Sequence, residues 1–128
     1  MKLTGAVFSD LGRASSFMEI GWVAESFERA LGFKPYPGTL NVKLDTVEAV
    51  TAWRAAQNAE GILINAPDES FCNARCFRVR IEGNWPGAVI LPAIDGYPEN
   101  KLEVIAPVRL KGALDIEDGA RVSIEFVG

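Results

Sequence analysis

Between Arg75 and Glu82 the chain alternates: Phe77, Val79 and Ile81 fall on one side, Arg78 and Arg80 on the other. Period two is the pattern of a half-buried strand. The remaining apolar segments are also short. Leu3–Phe8, Thr39–Leu44, Gly61–Asn65, Ala88–Leu91, Leu102–Ile105 and Arg121–Val127 read as further strands, with Asp118-Gly119 supplying a turn before the last. Many short strands expose many edges, and closing the sheet on itself removes them. The expectation is a mainly β chain built as a closed or nearly closed barrel.

Two segments carry helical spacing instead. Ser16-Phe17-Met18-Glu19 has the S-x-x-E form of a capping box, which satisfies the first free amides of a helix. Ile20, Val23, Phe27, Ala30 and Leu31 follow on one face. Gly32 is placed to end this helix in a left-handed conformation, with Phe33 packing back on the last turn. This N-terminal helix is expected to cover one end of the barrel. A second, short helix is expected from the Asp45-Thr46-Val47-Glu48 cap to about Ala56, burying Val47, Val50 and Trp53.

The 128 residues form a single expected domain, 1–128, able to bury roughly two-thirds of its unfolded surface without a disulfide or metal staple. Cys72 and Cys76 lie on one face of an apparent strand and read as two reduced thiols. The absence of histidine removes the commonest general base and the commonest zinc ligand. A net charge of −4 argues against a nucleic-acid partner, which needs a basic face. No apolar run approaches the ~20 residues of a membrane helix. Met1–Gly5 lacks the apolar stretch of a signal peptide, so a cytoplasmic location away from membranes is expected. A monomer or weak homo-oligomer fits these features.

Chemistry concentrates in Pro35-Tyr36-Pro37-Gly38-Thr39-Leu40-Asn41-Val42-Lys43-Leu44. Its first four residues are turn-forming. In the strand that follows, Leu40, Val42 and Leu44 share one face, and Thr39, Asn41 and Lys43 the other. Thr39 and Asn41 thus present two neutral oxygen donors, which suit a hard cation such as Mg²⁺ when bound phosphates supply the negative charge. On spacing alone they read more readily as exposed strand polars.

This segment, preceded by Leu31-Gly32-Phe33, resembles the signature of the archaeal CTP-dependent riboflavin kinases, which are small cradle-loop β-barrels. The resemblance continues in Glu103-Val104-Ile105-Ala106-Pro107-Val108-Arg109-Leu110 and from Leu114 through Val122. It implies a six-stranded cradle-loop-type barrel that moves a phosphoryl group from CTP to riboflavin, giving FMN. It further implies Thr39 and Asn41 as Mg²⁺ ligands and Glu103 as a flavin contact. Val108, Arg109, Leu110 and Lys111 become nucleotide contacts. No general base follows from it; Glu103 is the nearest candidate for orienting the reacting hydroxyl.

The chain departs from that family in one loop. Where the family carries Gly-Leu-Gly-Glu-Gly-Arg, this chain has Asp10-Leu11-Gly12-Arg13-Ala14-Ser15. Asp10 and Ala14 replace glycines that let backbone amides approach phosphates. Arg13 and Ser15 offer side-chain contacts to phosphate in their place. A flavin-contacting threonine of the family corresponds to Asp95 here. Two other readings therefore stand beside the kinase: a non-catalytic flavin- or nucleotide-binding module, acting as sensor or partner subunit, and a kinase with another donor or acceptor.

Overall fold

The computed structural model describes residues 1–9, 21–66 and 73–127. Its strands are β1 (Lys2–Phe8), β2 (Leu40–Lys43), β3 (Ile62–Ile64), β4 (Ala74–Ile81), β5 (Trp85–Pro92), β6 (Lys101–Ile105) and β7 (Arg121–Phe126). Its helices are α1 (Gly21–Leu31), α2 (Val47–Ala56) and α3 (Leu110–Ala113). The strands run β3-β4-β5-β6-β2-β1-β7, and a further β4–β7 pairing closes the last six into an antiparallel barrel. β4 can serve three neighbours because it divides its length. Ala74–Cys76 pair with β3 and Val79–Ile81 with β7, while the whole strand pairs with β5. β3 therefore lies outside the closure.

Alternation decides which residues fill the barrel. Leu3, Val7, Leu40, Val42, Phe77, Val79, Ile81, Val89, Leu102, Val104, Val122 and Ile124 come from all six barrel strands and form one buried cluster. Ala49, Trp53 and Ala56 of α2 join it, so this helix closes one end. The Trp53 indole meets the ring of Phe77 edge-on at 5.6 Å and stacks on Phe126 at 5.7 Å. The side chain of Thr46 caps α2 by accepting a bond from the Ala49 amide at 3.1 Å. Trp53 is buried as expected, but Val47 is 79% exposed. It sits in the first turn on the side turned away from the barrel, where a capping threonine fixes the direction of entry.

The N-terminal helix occupies a different place from the one its sequence implied. Val23, Phe27 and Leu31 of α1 pack on Cys76, Ala88, Ile90 and Ile105, which project from the outer wall of the barrel. A second core thus forms outside the wall. The expected stop holds: Gly32 has φ +82° and donates to the Glu28 carbonyl at 2.9 Å. Arg78 completes the end, donating to the carbonyls of Leu31 at 2.9 Å and Ala30 at 3.2 Å. These carbonyls lack partners within the helix, and a cation suits that end of its dipole. The start of this helix, Ser16–Ile20 with its capping box, lies outside the described residues, as does Cys72. Cys76 is buried in the second core, which pushes its thiol up to about 11. No described helix is long and apolar enough to cross a membrane.

Candidate functional site

Three elements meet where the outer face of β2 leaves the barrel. The turn 35–38 is tied down by the Tyr36 amide, which donates to the Ala106 carbonyl at 2.8 Å. That bond joins the turn before β2 to the segment after β6. The segment then enters α3, a short helix not expected from sequence, because Lys-Gly-Ala carries no amphipathic period. Between these walls lies a cavity of about 350 Å³. Thr39, Asn41, Val108, Arg109, Leu110 and Lys111, all implied by resemblance, line it together. Phe8, Ser9, Tyr36 and Gly38 also line it and were not singled out from sequence. Tyr36 and Gly38 lay within the quoted motif but read only as turn chemistry.

Asn41 is the one buried polar side chain among the described residues, 7% exposed. Its Oδ1 takes a contact from Thr39 Oγ1 at 3.5 Å, the outer limit of a hydrogen bond. Burying an amide without good partners is costly, so such a group is usually retained for a ligand. Two neutral oxygens held side by side at a cavity fit a divalent cation that brings its own anionic phosphates. The described residues contain no carboxylate, cysteine or histidine cluster able to hold a metal alone. The donor set thus fits a cation that arrives with a nucleotide.

The two cations of the cavity are differently placed. Lys111 Nζ pairs with Asp118 Oδ1 at 2.8 Å and donates to Ser9 Oγ at 3.1 Å, and Ser9 in turn donates to Asp118 Oδ2 at 2.7 Å. The Lys111 ammonium, followed by the Ser9 hydroxyl, holds the Asp118 carboxyl below the usual carboxylate range. The Arg109 side chain makes no ion pair or hydrogen bond with a described residue, and the residue is exposed where it lines the cavity. It is therefore the more available partner for an incoming anion.

Glu103 does not line this cavity. It stands beside it: the β2–β6 register pairs Asn41 directly with Glu103, and such pairs project to the same face with Cβ atoms roughly 4.5–5.5 Å apart. Tyr97 Oη donates to Glu103 Oε1 at 2.7 Å, and Lys101 Nζ lies 3.4 Å from the same oxygen. Neither Tyr97 nor Lys101 was found from sequence. Lys101 does sit two residues before Glu103 on one strand face, which was the available signal. Asp95 is exposed in the loop between β5 and β6 and is brought neither to the cavity nor to Glu103 by any described contact. Asp10, Leu11, Gly12, Arg13, Ala14 and Ser15 lie outside the described residues; the last residue before them, Ser9, is at the cavity wall.

Comparison with known proteins points to one family. Residues 7–126 match the family model of the CTP-dependent riboflavin kinase domain, described as a domain of unknown function, DUF120. A riboflavin kinase of Methanobrevibacter smithii is 35% identical over 126 residues, covering 98% of this chain and all of that protein. Riboflavin kinases of Archaeoglobus fulgidus and Pyrobaculum islandicum are 35% and 36% identical, covering 99% and 98% of this chain. The chain spans 55% and 60% of the length of those two relatives.

Proposed function

The chain belongs to the CTP-dependent riboflavin kinase family, and we propose on that basis that it transfers the γ-phosphoryl group of CTP to the ribityl 5′-hydroxyl of riboflavin. The observation that carries this reading is the pairing of Asn41 with Glu103. Under the proposed roles, it would set the phosphate-metal element and the flavin element one strand apart on one face. Phosphoryl transfer asks little covalent chemistry of a protein; placement and charge supply most of the rate.

Thr39 and Asn41 would hold Mg²⁺, whose contribution when bound is to neutralise charge on the donor phosphates. Arg109 receives the nucleotide from the cavity mouth. Lys111, fixed by Asp118 and Ser9, holds a constant positive position at its wall. Val108 and Leu110 bound the nucleotide's apolar side. Arg13 and Ser15, with Asp10, Leu11, Gly12 and Ala14 beside them in sequence, would supply the remaining phosphate contacts. Glu103 accepts a hydrogen bond from riboflavin and orients the reacting hydroxyl. The new bond joins that oxygen to the γ-phosphorus as the β–γ bridging bond breaks. FMN and CDP result, and the hydroxyl proton is released.

The replacement of glycines by Asp10 and Ala14 favours a second reading, a flavin- or nucleotide-binding module without turnover. Incubation with riboflavin, Mg²⁺ and each of the four nucleoside triphosphates separates them. The kinase reading expects FMN, formed fastest with CTP. No FMN with any donor, together with saturable flavin binding, would establish the binding module instead.

A further inference from the structure

The carboxylate of Glu103 is held from one side only. Both its partners, Tyr97 Oη at 2.7 Å and Lys101 Nζ at 3.4 Å, engage Oε1. Its Oε2 takes no hydrogen bond from a described residue. The Lys101 ammonium also lies over the Tyr97 ring, 5.8 Å from its centroid, so the two partners brace each other. The Glu103 side chain is only 13% exposed and that of Lys101 17%. A carboxylate so nearly buried costs free energy unless it is paired. The pairing here leaves one oxygen directed at no donor of a described residue, on the face that Asn41 shares.

From this arrangement we infer that Tyr97 and Lys101 are positioning residues for acceptor recognition, fixing Glu103 so that Oε2 is presented to an uncharged donor, an O–H or N–H group of the flavin. The inference rests on the riboflavin kinase reading and adds the residues that set its acceptor specificity. A carboxylate already paired with one ammonium has no need of a cationic ligand and can accept from a neutral donor. The loop that delivers Tyr97 is tied at other points. The Leu44 amide donates to the Asn100 carbonyl at 2.7 Å, and Glu99 pairs with Arg54. The Tyr97 hydroxyl is therefore not needed to keep the loop in place.

The test is riboflavin binding followed by quenching of flavin fluorescence, with steady-state kinetics beside it, in wild type, Tyr97→Phe, Lys101→Met, Lys101→Arg and Arg54→Gln. Tyr97→Phe keeps the ring and loses only the donor. It should raise the riboflavin Kd and KM about 10-fold, the lower end of what losing an outer-shell partner costs at a bound site. The KM for CTP should stay unchanged. Lys101→Met should act in the same direction, and Lys101→Arg should restore most of the loss. Arg54→Gln cuts another tie of the same loop and should leave riboflavin binding within about two-fold of wild type, taking 0.4 kcal/mol as the smallest difference worth reading. Equal riboflavin affinity in wild type and Tyr97→Phe would overturn the inference while leaving the kinase reading intact. So would a parallel rise in both KM values with a lowered Tm, which marks a structural role. A wild type that neither binds riboflavin nor forms FMN would overturn the kinase reading and the inference with it.

Discussion

Replacing Asn41 with leucine should make the protein more stable and less able to bind its nucleotide. Asn41 is 7% exposed, and its one described side-chain contact, from Thr39, is 3.5 Å long. A buried polar group left so poorly satisfied costs about 1–3 kcal/mol. Asn41→Leu removes that cost. The extra bulk enters a cavity of about 350 Å³ rather than a packed core, so overpacking strain is small. A net gain of about 1 kcal/mol should raise Tm by roughly 3–5 °C for a chain of this length. The same change deletes an oxygen donor from the metal-phosphate element. One interaction with a charged partner is worth about 1.5–3 kcal/mol, so Mg²⁺-CTP affinity should fall about 10- to 100-fold. Calorimetry measures both, as a thermal scan and as a titration. Unchanged Mg²⁺-CTP affinity in the variant would refute the role assigned to Asn41. A lowered Tm would refute the claim that the fold holds this amide at a cost.

Three other perturbations test the frame around the site. Arg78→Met removes the two bonds that cap α1 and should cost about 1–2 kcal/mol in chemical denaturation, with nucleotide affinity unaltered; a stability loss under 0.5 kcal/mol, roughly the noise of surface substitutions, would contradict the capping role. Gly5→Ala would place a Cβ 2.5 Å from Val42 Cγ1 and 2.6 Å from the Lys43 carbonyl oxygen, so β2 must shift; stability should fall by about 1–3 kcal/mol and Mg²⁺-CTP affinity should fall with it, whereas a variant as stable as wild type would disprove the close approach. Asp118 has a carboxyl depressed by Lys111 and then Ser9, so the stability it contributes is present above its unfolded value of about 3.9 and is lost as pH falls through the lower folded value. The advantage of wild type over Asp118→Asn in denaturation curves should be full near pH 6 and vanish toward pH 2; an advantage that grows on acidification would reverse the assignment.

The barrel was legible because period-two alternation is local. Phe77, Val79 and Ile81 fill its interior as their spacing implied, and of the seven strands read from the sequence six close on themselves while β3 stays outside. The place of α1 was not legible. An amphipathic helix shows that it has an apolar face, but not which surface will receive it. Here the receiving surface is the outward row of Cys76, Ala88, Ile90 and Ile105, unusually apolar for a barrel exterior. Val47 misled for a related reason: the helical period admits it to the buried face, while the cap at Thr46 turns it to solvent. At the site, the shared face of Thr39 and Asn41 was visible in the strand pattern. The closeness of Asn41 to Glu103 was not, since it depends on a register between strands 62 residues apart (103 − 41). The Tyr97 contact is hidden for the same reason that loop conformations are: Asp-Gly-Tyr-Pro announces a turn but not the direction of its side chains.

In the proposed mechanism donor phosphates and flavin acceptor meet on the outer face of β2 and β6. Paramagnetic Mn²⁺ tests it directly when added with CTP and riboflavin to isotopically labelled protein. Selective broadening is expected of the amide signals of Thr39, Leu40 and Asn41, of Arg109, and of Glu103 across the strand pair, together with broadening of the ribityl signals of riboflavin. Broadening centred elsewhere, or ribityl signals left sharp while Thr39 and Asn41 broaden, would contradict it.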